Sequence, residues 1–181
     1  MKSVYLFLSG TKTPLARLVC ILTASRTTHS SFSLDTKFDN MYSFGRLGKK
    51  PFPAGFANEN IRKNIFEVYK NCPCKVFQID LTDEGYDKLL ARLNYYKENA
   101  KDFKYNFFGA YLCSLRFKGT TPKNKRFCSQ FVSELLNEGG IKLPYKPSLM
   151  RPRDFLKVDT FKEIYHGSIE NLCRLSDEGK I

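Results

Sequence analysis

A cysteine and a histidine in this chain have the types and settings needed to attack an acyl bond. Cys128 is followed at three, four and seven positions by Phe131, Val132 and Leu135. That spacing predicts a helix with the thiol on its buried face, at the first turn. The helix dipole there favours the thiolate, which is the nucleophilic form of cysteine. The unpaired N–H groups of the same turn can bind a developing oxyanion.

A cysteine nucleophile also needs a base, and the chain has only two histidines. His29 lies among Ser and Thr residues in a predicted strand, with little bulk around it. His166 precedes Gly167 in a predicted hairpin turn, where a side chain is usually solvated. We therefore predict that His29 is the base for Cys128. Each residue also has an ordinary structural explanation, as a small core cysteine or a strand histidine with structural partners.

Two short motifs carry a resemblance to a known family. Residues 28–33 (THSSFS) and 127–132 (FCSQFV) resemble motifs of the circularly permuted papain-like hydrolases of the YiiX type, relatives of the NlpC-type cell-wall peptidases. Residues 105–109 and 150–155 are similar to a Tyr-containing and a Pro-containing segment of that family. The histidine precedes the cysteine, which reverses the ordinary papain-like order and is what "permuted" implies. The resemblance covers roughly residues 1–160.

The resemblance implies a fold and a reaction. The fold is α+β, with an antiparallel sheet packed against helices in a single domain over residues 1–181. The reaction is that of a cysteine amidase or peptidase, in which Cys128 attacks a carbonyl, a thioacyl intermediate forms and His29 transfers the proton. Peptide, peptidoglycan-like and acyl substrates all suit this chemistry, and no cofactor is implied.

The third catalytic residue is where this sequence departs from the family. Related hydrolases carry a polar residue, often Glu, on the strand paired with the His strand, and the matching position here is Ser43. A hydroxyl can accept the imidazole N–H, but it cannot stabilise imidazolium as a carboxylate does. Asp35 and Glu59 are the alternatives. A degenerate site that only binds its ligand is a further alternative.

Aromatic residues are the candidates for substrate binding. Tyr105 and Phe108, with Phe107 between them, are expected to line the substrate side, although core packing explains them equally well. A lipid acyltransferase or thioesterase is a rival function, similar to the lecithin retinol acyltransferase family. That family carries Asn before its cysteine, whereas this chain has Phe127. A non-enzymatic binding module for an anionic partner is the second rival.

The elements that position these residues follow from periodicity and turn signals. Strands are predicted at residues 4–8, 28–34, 41–44 and 75–81, with the second and third forming a hairpin. Helices are predicted at residues 14–22, from Thr82 onward, near residues 105–110 and at 127–137. Residues 45–60 read as a long loop and residues 161–169 as a hairpin.

Charge and cysteine content narrow the partners and the setting. The net charge is +12, from 30 Lys and Arg against 18 Asp and Glu, which favours anionic partners or simply a soluble basic surface. The densest basic cluster precedes Cys128 and consists of Lys118, Lys123, Lys125 and Arg126. Of these, Lys125 and Arg126 are expected to favour the Cys128 thiolate as well. No apolar run approaches the ~20 residues of a membrane span, and no signal peptide is evident. We expect a cytoplasmic setting with free thiols, and the sequence does not indicate an oligomeric state.

Two further motifs fall short of a binding site. Cys72-Pro73-Cys74 has one residue between its cysteines, whereas zinc sites prefer two or more and a second ligand pair. Residues 45–48 (GRLG) lack the spacing of a phosphate-binding loop. Structural cysteines and an ordinary turn are the simpler interpretations.

Overall fold

The computed structural model describes residues 1–10, 27–48, 52–119 and 121–181, and it has an α+β architecture built on one eight-stranded sheet. The predicted α+β class is confirmed. The strands run across the sheet in the order β7-β6-β4-β3-β2-β1-β5-β8. Their bounds are β1 (Lys2–Ser9), β2 (His29–Ser33), β3 (Met41–Arg46), β4 (Ala54–Glu59), β5 (Pro73–Leu81), β6 (Lys104–Tyr105), β7 (Lys125–Arg126) and β8 (Lys162–Ser168).

Neighbouring strands pair antiparallel across most of the sheet, and the predicted hairpin of β2 and β3 is present. The exception is at one edge, where β6 and β7 pair in parallel. The sheet is therefore mixed, and the expectation of a wholly antiparallel sheet is corrected at this edge. The parallel pair matters for the site because it joins the strand before Phe107 to the strand before Cys128.

Five α-helices occur in the described residues: α1 (Asn64–Val68), α2 (Asp83–Glu98), α3 (Phe107–Ser114), α4 (Cys128–Glu138) and α5 (Ile169–Asp177). The Thr82 hydroxyl caps α2 by accepting a hydrogen bond from the Gly85 N–H at 3.0 Å. The acidic residues Asp83 and Glu84 follow in the first turn, where they complement the helix dipole. None of these helices has the length and apolar character needed to cross a bilayer.

The sheet buries apolar side chains on both faces. Along the central strand β1, Leu6 and Leu8 belong to one core while Phe7, between them, belongs to the other. This is the alternation expected of a strand that is covered on both sides. Helices α2 and α4 cover the first face, where the rings of Phe44, Tyr96 and Phe131 pack edge to face or tilted against one another. This packing fixes α4, and Cys128 with it, against the sheet.

Two predicted elements are wrong. Residues 45–60 are not all loop, because β4 pairs with β3 over six register positions and buries Phe56. Residues 161–169 form the single strand β8, which leads directly into α5 rather than turning back. The Ser168 hydroxyl caps that helix by accepting from the Asn171 N–H, and Leu172 is buried in the second core. The helix predicted at residues 14–22 lies outside the described residues.

Glycine at position 55 is required by the close pairing of β4 with β6. A Cβ placed on Gly55 would lie 2.5 Å from the carbonyl oxygen of Phe103, which is a backbone atom that cannot simply rotate away. We expect Gly55→Ala to lower the free energy of unfolding by about 1–3 kcal/mol, the usual cost of overpacking. Urea unfolding followed by circular dichroism measures it.

The matched control is Gly48→Ala, where an added Cβ meets nothing within 4 Å. This variant should unfold within about 0.5 kcal/mol of wild type. Equal stability of the two variants would contradict the steric account of β4 and β6.

Candidate active site

Cys128 is the first residue of α4, as the sequence predicts. The preceding residue, Phe127, is extended and makes no side-chain cap, so the first-turn N–H groups of α4 face the site without a capping side chain. The thiol is 5% exposed and lines a small cleft. The helix face that carries Cys128 is therefore buried, while the sulfur still borders the cleft.

His29 begins β2, and helix α4 packs across this strand. The imidazole of His29 and the thiol of Cys128 are hydrogen-bonded to each other, although the two residues are 99 positions apart in the chain. The strand and the helix predicted from sequence thus bring the nucleophile and the base together. His166, the histidine we set aside, is exposed on β8 and lies 3.8 Å from Glu163.

The carboxylate of Glu59 lies on the other side of the imidazole. Its two oxygens are 3.0 and 3.1 Å from Nε2 of His29. The Ser31 hydroxyl donates to Oε2 of the same carboxylate at 2.5 Å and holds it in place. Because Nε2 is engaged by Glu59, Nδ1 is the ring nitrogen available to the thiol. Glu59 is thus held by Ser31 in direct contact with the His29 ring.

The other two candidates for the third residue have different partners. The Ser43 hydroxyl, which we considered first for this role, donates instead to the backbone carbonyl of Ser30 at 2.7 Å. The carboxylate of Asp35 accepts from the backbone N–H groups of Lys37 and Phe38 and so stabilises the turn between β2 and β3. Of the three candidates, Glu59 is the one that contacts the imidazole.

Gly45 is a site residue that sequence reasoning missed. A Cβ at this position would lie 3.3 Å from Oε1 of Glu59 and 3.6 Å from Cε1 of His29. Any side chain here would therefore crowd the carboxylate against the ring. The absence of a side chain at position 45 leaves the room in which the His29–Glu59 pair forms.

The pKa values of the cysteine and the histidine are shifted toward an ion pair. Burial acts to lower the pKa of His29, but the charge of Glu59 and the contact with Cys128 outweigh it and raise that pKa well above its usual value. Burial acts to raise the pKa of Cys128, but the hydrogen bond and charge of His29 outweigh it and lower that pKa. Ser30, on the strand that carries His29, also contributes to the lowering. The arrangement favours thiolate and imidazolium over the two neutral groups.

Of the two residues predicted to bind substrate, Tyr105 lines the cleft and Phe108 does not. Tyr105 lines the cleft and hydrogen-bonds to the sulfur, and its own pKa is raised by burial and by the charge of Cys128. Tyr105 therefore keeps its proton and can donate a hydrogen bond to the thiolate. Phe108 projects into solvent from the outer side of α3 and is not among the residues that line the cleft.

The cleft itself is small, with a volume of about 30 Å³. Its polar groups include the hydroxyl of Thr28, which is buried and has no hydrogen-bond partner among the described residues. Its apolar lining includes Ala110, Phe127 and Pro152. A buried hydroxyl without a partner is costly, so a substrate oxygen or a water is the expected acceptor for Thr28.

Of the two basic residues expected to favour the Cys128 thiolate, Arg126 has a partner of its own within the fold. Arg126 pairs with Glu134 on α4, with Nε of the guanidinium 2.6 Å from Oε1 of the carboxylate. Its charge is therefore neutralised within the fold. The groups that lower the pKa of Cys128 are led by His29 and Ser30. Arg126 instead anchors β7 to the helix that carries the nucleophile.

A buried carboxylate supports the wall of the cleft opposite β2. Asp154 is fully buried and pairs with Arg116 at 2.8 Å and with Arg151 at 3.2 Å. Arg151 lines the cleft, and the neighbouring backbone carbonyl of Met150 accepts a hydrogen bond from the Ser129 hydroxyl at 2.6 Å. The Pro-containing segment singled out by the resemblance thus closes one side of the site.

Comparison with known proteins adds no family to this description. A scan of the chain against protein-family models finds no match, and a search of the curated proteins finds none either. The functional interpretation is therefore drawn from the site.

Three other cysteines differ from Cys128 either in their position in the fold or in their pKa: Cys72, Cys74 and Cys113. Cys72 and Cys74 are buried in the second core, and burial raises the pKa of Cys74 to about 12. Cys113 lines the cleft, but burial raises its pKa to about 12 as well. Within the described part of the chain, no three His, Cys, Asp or Glu side chains are grouped as metal ligands would be. Cys128 is thus distinguished from these three thiols by its lowered pKa.

Proposed function

We propose that this chain is a cysteine hydrolase of the permuted papain-like type, which cleaves an amide or ester bond. The observation that carries the proposal is the hydrogen-bonded series Cys128–His29–Glu59, with its sulfur at a cleft. Nucleophile, base and carboxylate are the three roles of a catalytic triad.

The reaction follows from the positions of these groups. The Cys128 thiolate attacks the carbonyl carbon, and the negative charge moves to the carbonyl oxygen. The N–H groups at the start of α4 stabilise that charge, and the Thr28 hydroxyl is placed to donate to it as well. His29 gives its proton to the leaving amine or alcohol, and a thioacyl enzyme remains. His29 then takes a proton from water, which attacks the thioester and releases the acid.

Acyl transfer to an acceptor other than water is the second candidate function. The observation that favours it is helix α3, which borders the cleft on its inner side and exposes large apolar side chains on its outer side. An apolar rim suits a lipid acyl chain or a lipid acceptor better than it suits a polar peptide.

A small activated ester tests the proposal without knowledge of the natural substrate. Incubation with p-nitrophenyl acetate should give a burst of nitrophenol and an acetyl group on Cys128, located by peptide mass spectrometry. Cys128→Ser should lose the burst, with a fall in rate on the order of 10³-fold or more. Steady release after the burst supports a hydrolase, whereas release that needs added glycerol or an amine supports acyl transfer.

The matched control is Cys173→Ser, which removes a partly exposed free thiol on α5. Its burst should equal that of wild type. Acetylation spread over several cysteines, with no burst, would reject the enzyme in favour of a binding module.

A further inference from the structure

Helix α3 exposes apolar side chains where a helix of a soluble domain usually exposes polar ones. Its sequence, FFGAYLCS, contains no charged residue. Phe107, Phe108 and Tyr111 nevertheless point outward, and the buried positions of the helix are Gly109, Cys113 and Ser114. A helix that is apolar all round is normally buried on all sides. Among the described residues, the outer side of α3 is therefore left without a covering element.

The exposed apolar surface continues beyond the helix. Phe52 packs against Phe107 with ring centroids 5.4 Å apart, and the chain after α3 folds back so that the Phe117 N–H bonds to the carbonyl of Leu112. We define the aromatic surface as six side chains that are between 37 and 67% exposed: Phe52, Phe107, Phe108, Tyr111, Leu115 and Phe117. Scattered exposed hydrophobics are normal, but a cluster of this kind marks an interaction site.

The segment that bears most of the aromatic surface is also entirely basic in its charge. Residues 103–133 contain six Lys and Arg residues and no Asp or Glu. Arg116 and Arg126 are paired with Asp154 and Glu134. The other four are exposed lysines that flank α3 in the chain: Lys104, Lys118, Lys123 and Lys125. An apolar surface flanked by lysines is complementary to an anionic, partly apolar partner.

We infer that the aromatic surface docks this protein on an anionic lipid membrane, with Phe and Leu side chains inserted at the interface and the flanking lysines at the lipid headgroups. Interfacial helices have this division, with aromatic and aliphatic groups at the acyl boundary and lysines at the charged layer. Lysine suits the role because its long stem can lie along apolar surface while its ammonium group reaches the headgroups.

The distribution of charge favours a membrane over a nucleic acid. Proteins that bind single-stranded nucleic acid place basic groups along the same groove as their stacking aromatics. Here the eight residues of α3 carry no charge, and the lysines lie before and after the helix. The apolar surface also includes Leu115, which offers no ring for stacking on bases.

Docking through the aromatic surface would also involve the active site, because α3 lies between the two. The inner side of α3 contributes Ala110, Cys113 and Ser114 to the cleft that contains Cys128. The same helix would therefore touch lipid on one side and substrate on the other. Given the proposed function, substrates would be acyl compounds held in or at an anionic bilayer. Docking itself needs only the aromatic surface.

Vesicle co-sedimentation tests the docking directly with the full chain. Wild type should sediment with phosphatidylcholine vesicles that contain phosphatidylglycerol, should bind pure phosphatidylcholine weakly and should be released by salt. Phe108→Ser should lower the partition coefficient about tenfold, because a large aromatic group leaves the interface. Lys118→Gln should lower it by about fivefold on anionic vesicles, as expected for one lysine near the surface.

Two control variants match these in exposure and chemistry. Val68→Ser removes a side chain that is 65% exposed, as Phe108 is, and Lys63→Gln removes an exposed lysine near it. Both should bind like wild type within about twofold. Equal losses in the control variants, no binding to anionic vesicles, or release of the protein from vesicles by a single-stranded oligonucleotide would each overturn the inference.

The membrane docking and the proposed hydrolase function can be tested independently of each other. Cys128→Ser should bind vesicles as wild type does, because the sulfur is not part of the aromatic surface. A protein that binds vesicles but shows no acetyl burst retains the docking and loses the proposed function. A protein that shows the burst but ignores vesicles does the reverse.

Discussion

Glu59→Gln should slow the alkylation of Cys128 by iodoacetamide about tenfold at pH 6.5, which corresponds to a change of about one pKa unit. The charge of Glu59 is the largest of the effects that raise the pKa of His29. Without it, burial of the imidazole is no longer outweighed, and the neutral ring is favoured. The thiol then loses the positive charge that helps keep its own pKa low. A glutamine keeps a carbonyl oxygen near the ring, so charge changes more than geometry.

The pH dependence has a defined sign. The thiolate–imidazolium pair exists above the lowered pKa of Cys128 and below the raised pKa of His29. Glu59→Gln should narrow this window from both sides, because it lowers the pKa of His29 and raises that of Cys128. A pH–rate profile of alkylation, with Cys128 identified by peptide mass spectrometry, measures both limits.

The structure supplies a matched control in its other histidine–glutamate pair. His166 and Glu163 lie 3.8 Å apart on β8, and their side chains are 60 and 39% exposed. Solvent screens an exposed pair of this kind, so Glu163→Gln should leave the alkylation profile of Cys128 unchanged. If Glu59→Gln also leaves it unchanged, then the carboxylate does not act on the imidazole.

The positions of Cys128 and His29 could be predicted because each belongs to an element with a clear sequence pattern. Cys128 begins a strongly amphipathic helix, and His29 begins a strand beside a recognisable turn. The third residue could not be fixed, because the strand that carries Glu59 has the sequence AGFANE. Gly, Ala and Asn disfavour strands, so this segment reads as loop until its pairing with β3 is known. Sequence alone therefore placed Ser43 first, with Asp35 and Glu59 as alternatives, whereas the structure brings Glu59 to the imidazole.

The partners of partly buried arginines also could not be predicted from the sequence. Arg126 reads as a free cation beside the cysteine, but it pairs with Glu134 eight positions later on the inner side of the helix. Nothing in the local pattern distinguishes a paired arginine from an exposed one, since the pairing depends on how β7 meets α4. Arg116 and Asp154 show the same limit over 38 positions.

Asp154→Ala should lower the free energy of unfolding by about 3–5 kcal/mol, which is the usual cost of breaking a buried ion pair by removing one partner. The carboxylate is fully buried, and Arg116 and Arg151 both donate to it. It also accepts the backbone N–H of Arg151 at 2.9 Å. Alanine would leave two guanidinium groups without their acceptor beside the cleft. Urea unfolding followed by circular dichroism gives the free energy, and Asp154→Asn supplies a milder variant that keeps one acceptor oxygen.

The direction of the pKa shift adds a pH test to this stability prediction. Burial acts to raise the pKa of Asp154, but hydrogen bonds and charge from Arg151 and the charge of Arg116 outweigh it and lower that pKa. A carboxylate whose pKa is lowered by folding stabilises the protein above its unfolded pKa of about 3.9, and the stabilisation is lost as the pH falls through the folded value. Asp154→Asn should lack this acid-dependent part of the stability.

The control for the stability prediction is Asp177→Ala, which removes an exposed carboxylate that also pairs with an arginine. This variant should lower the free energy of unfolding by no more than about 1 kcal/mol. If Asp154→Ala costs as little as Asp177→Ala, Asp154 does not hold the wall of the cleft in place.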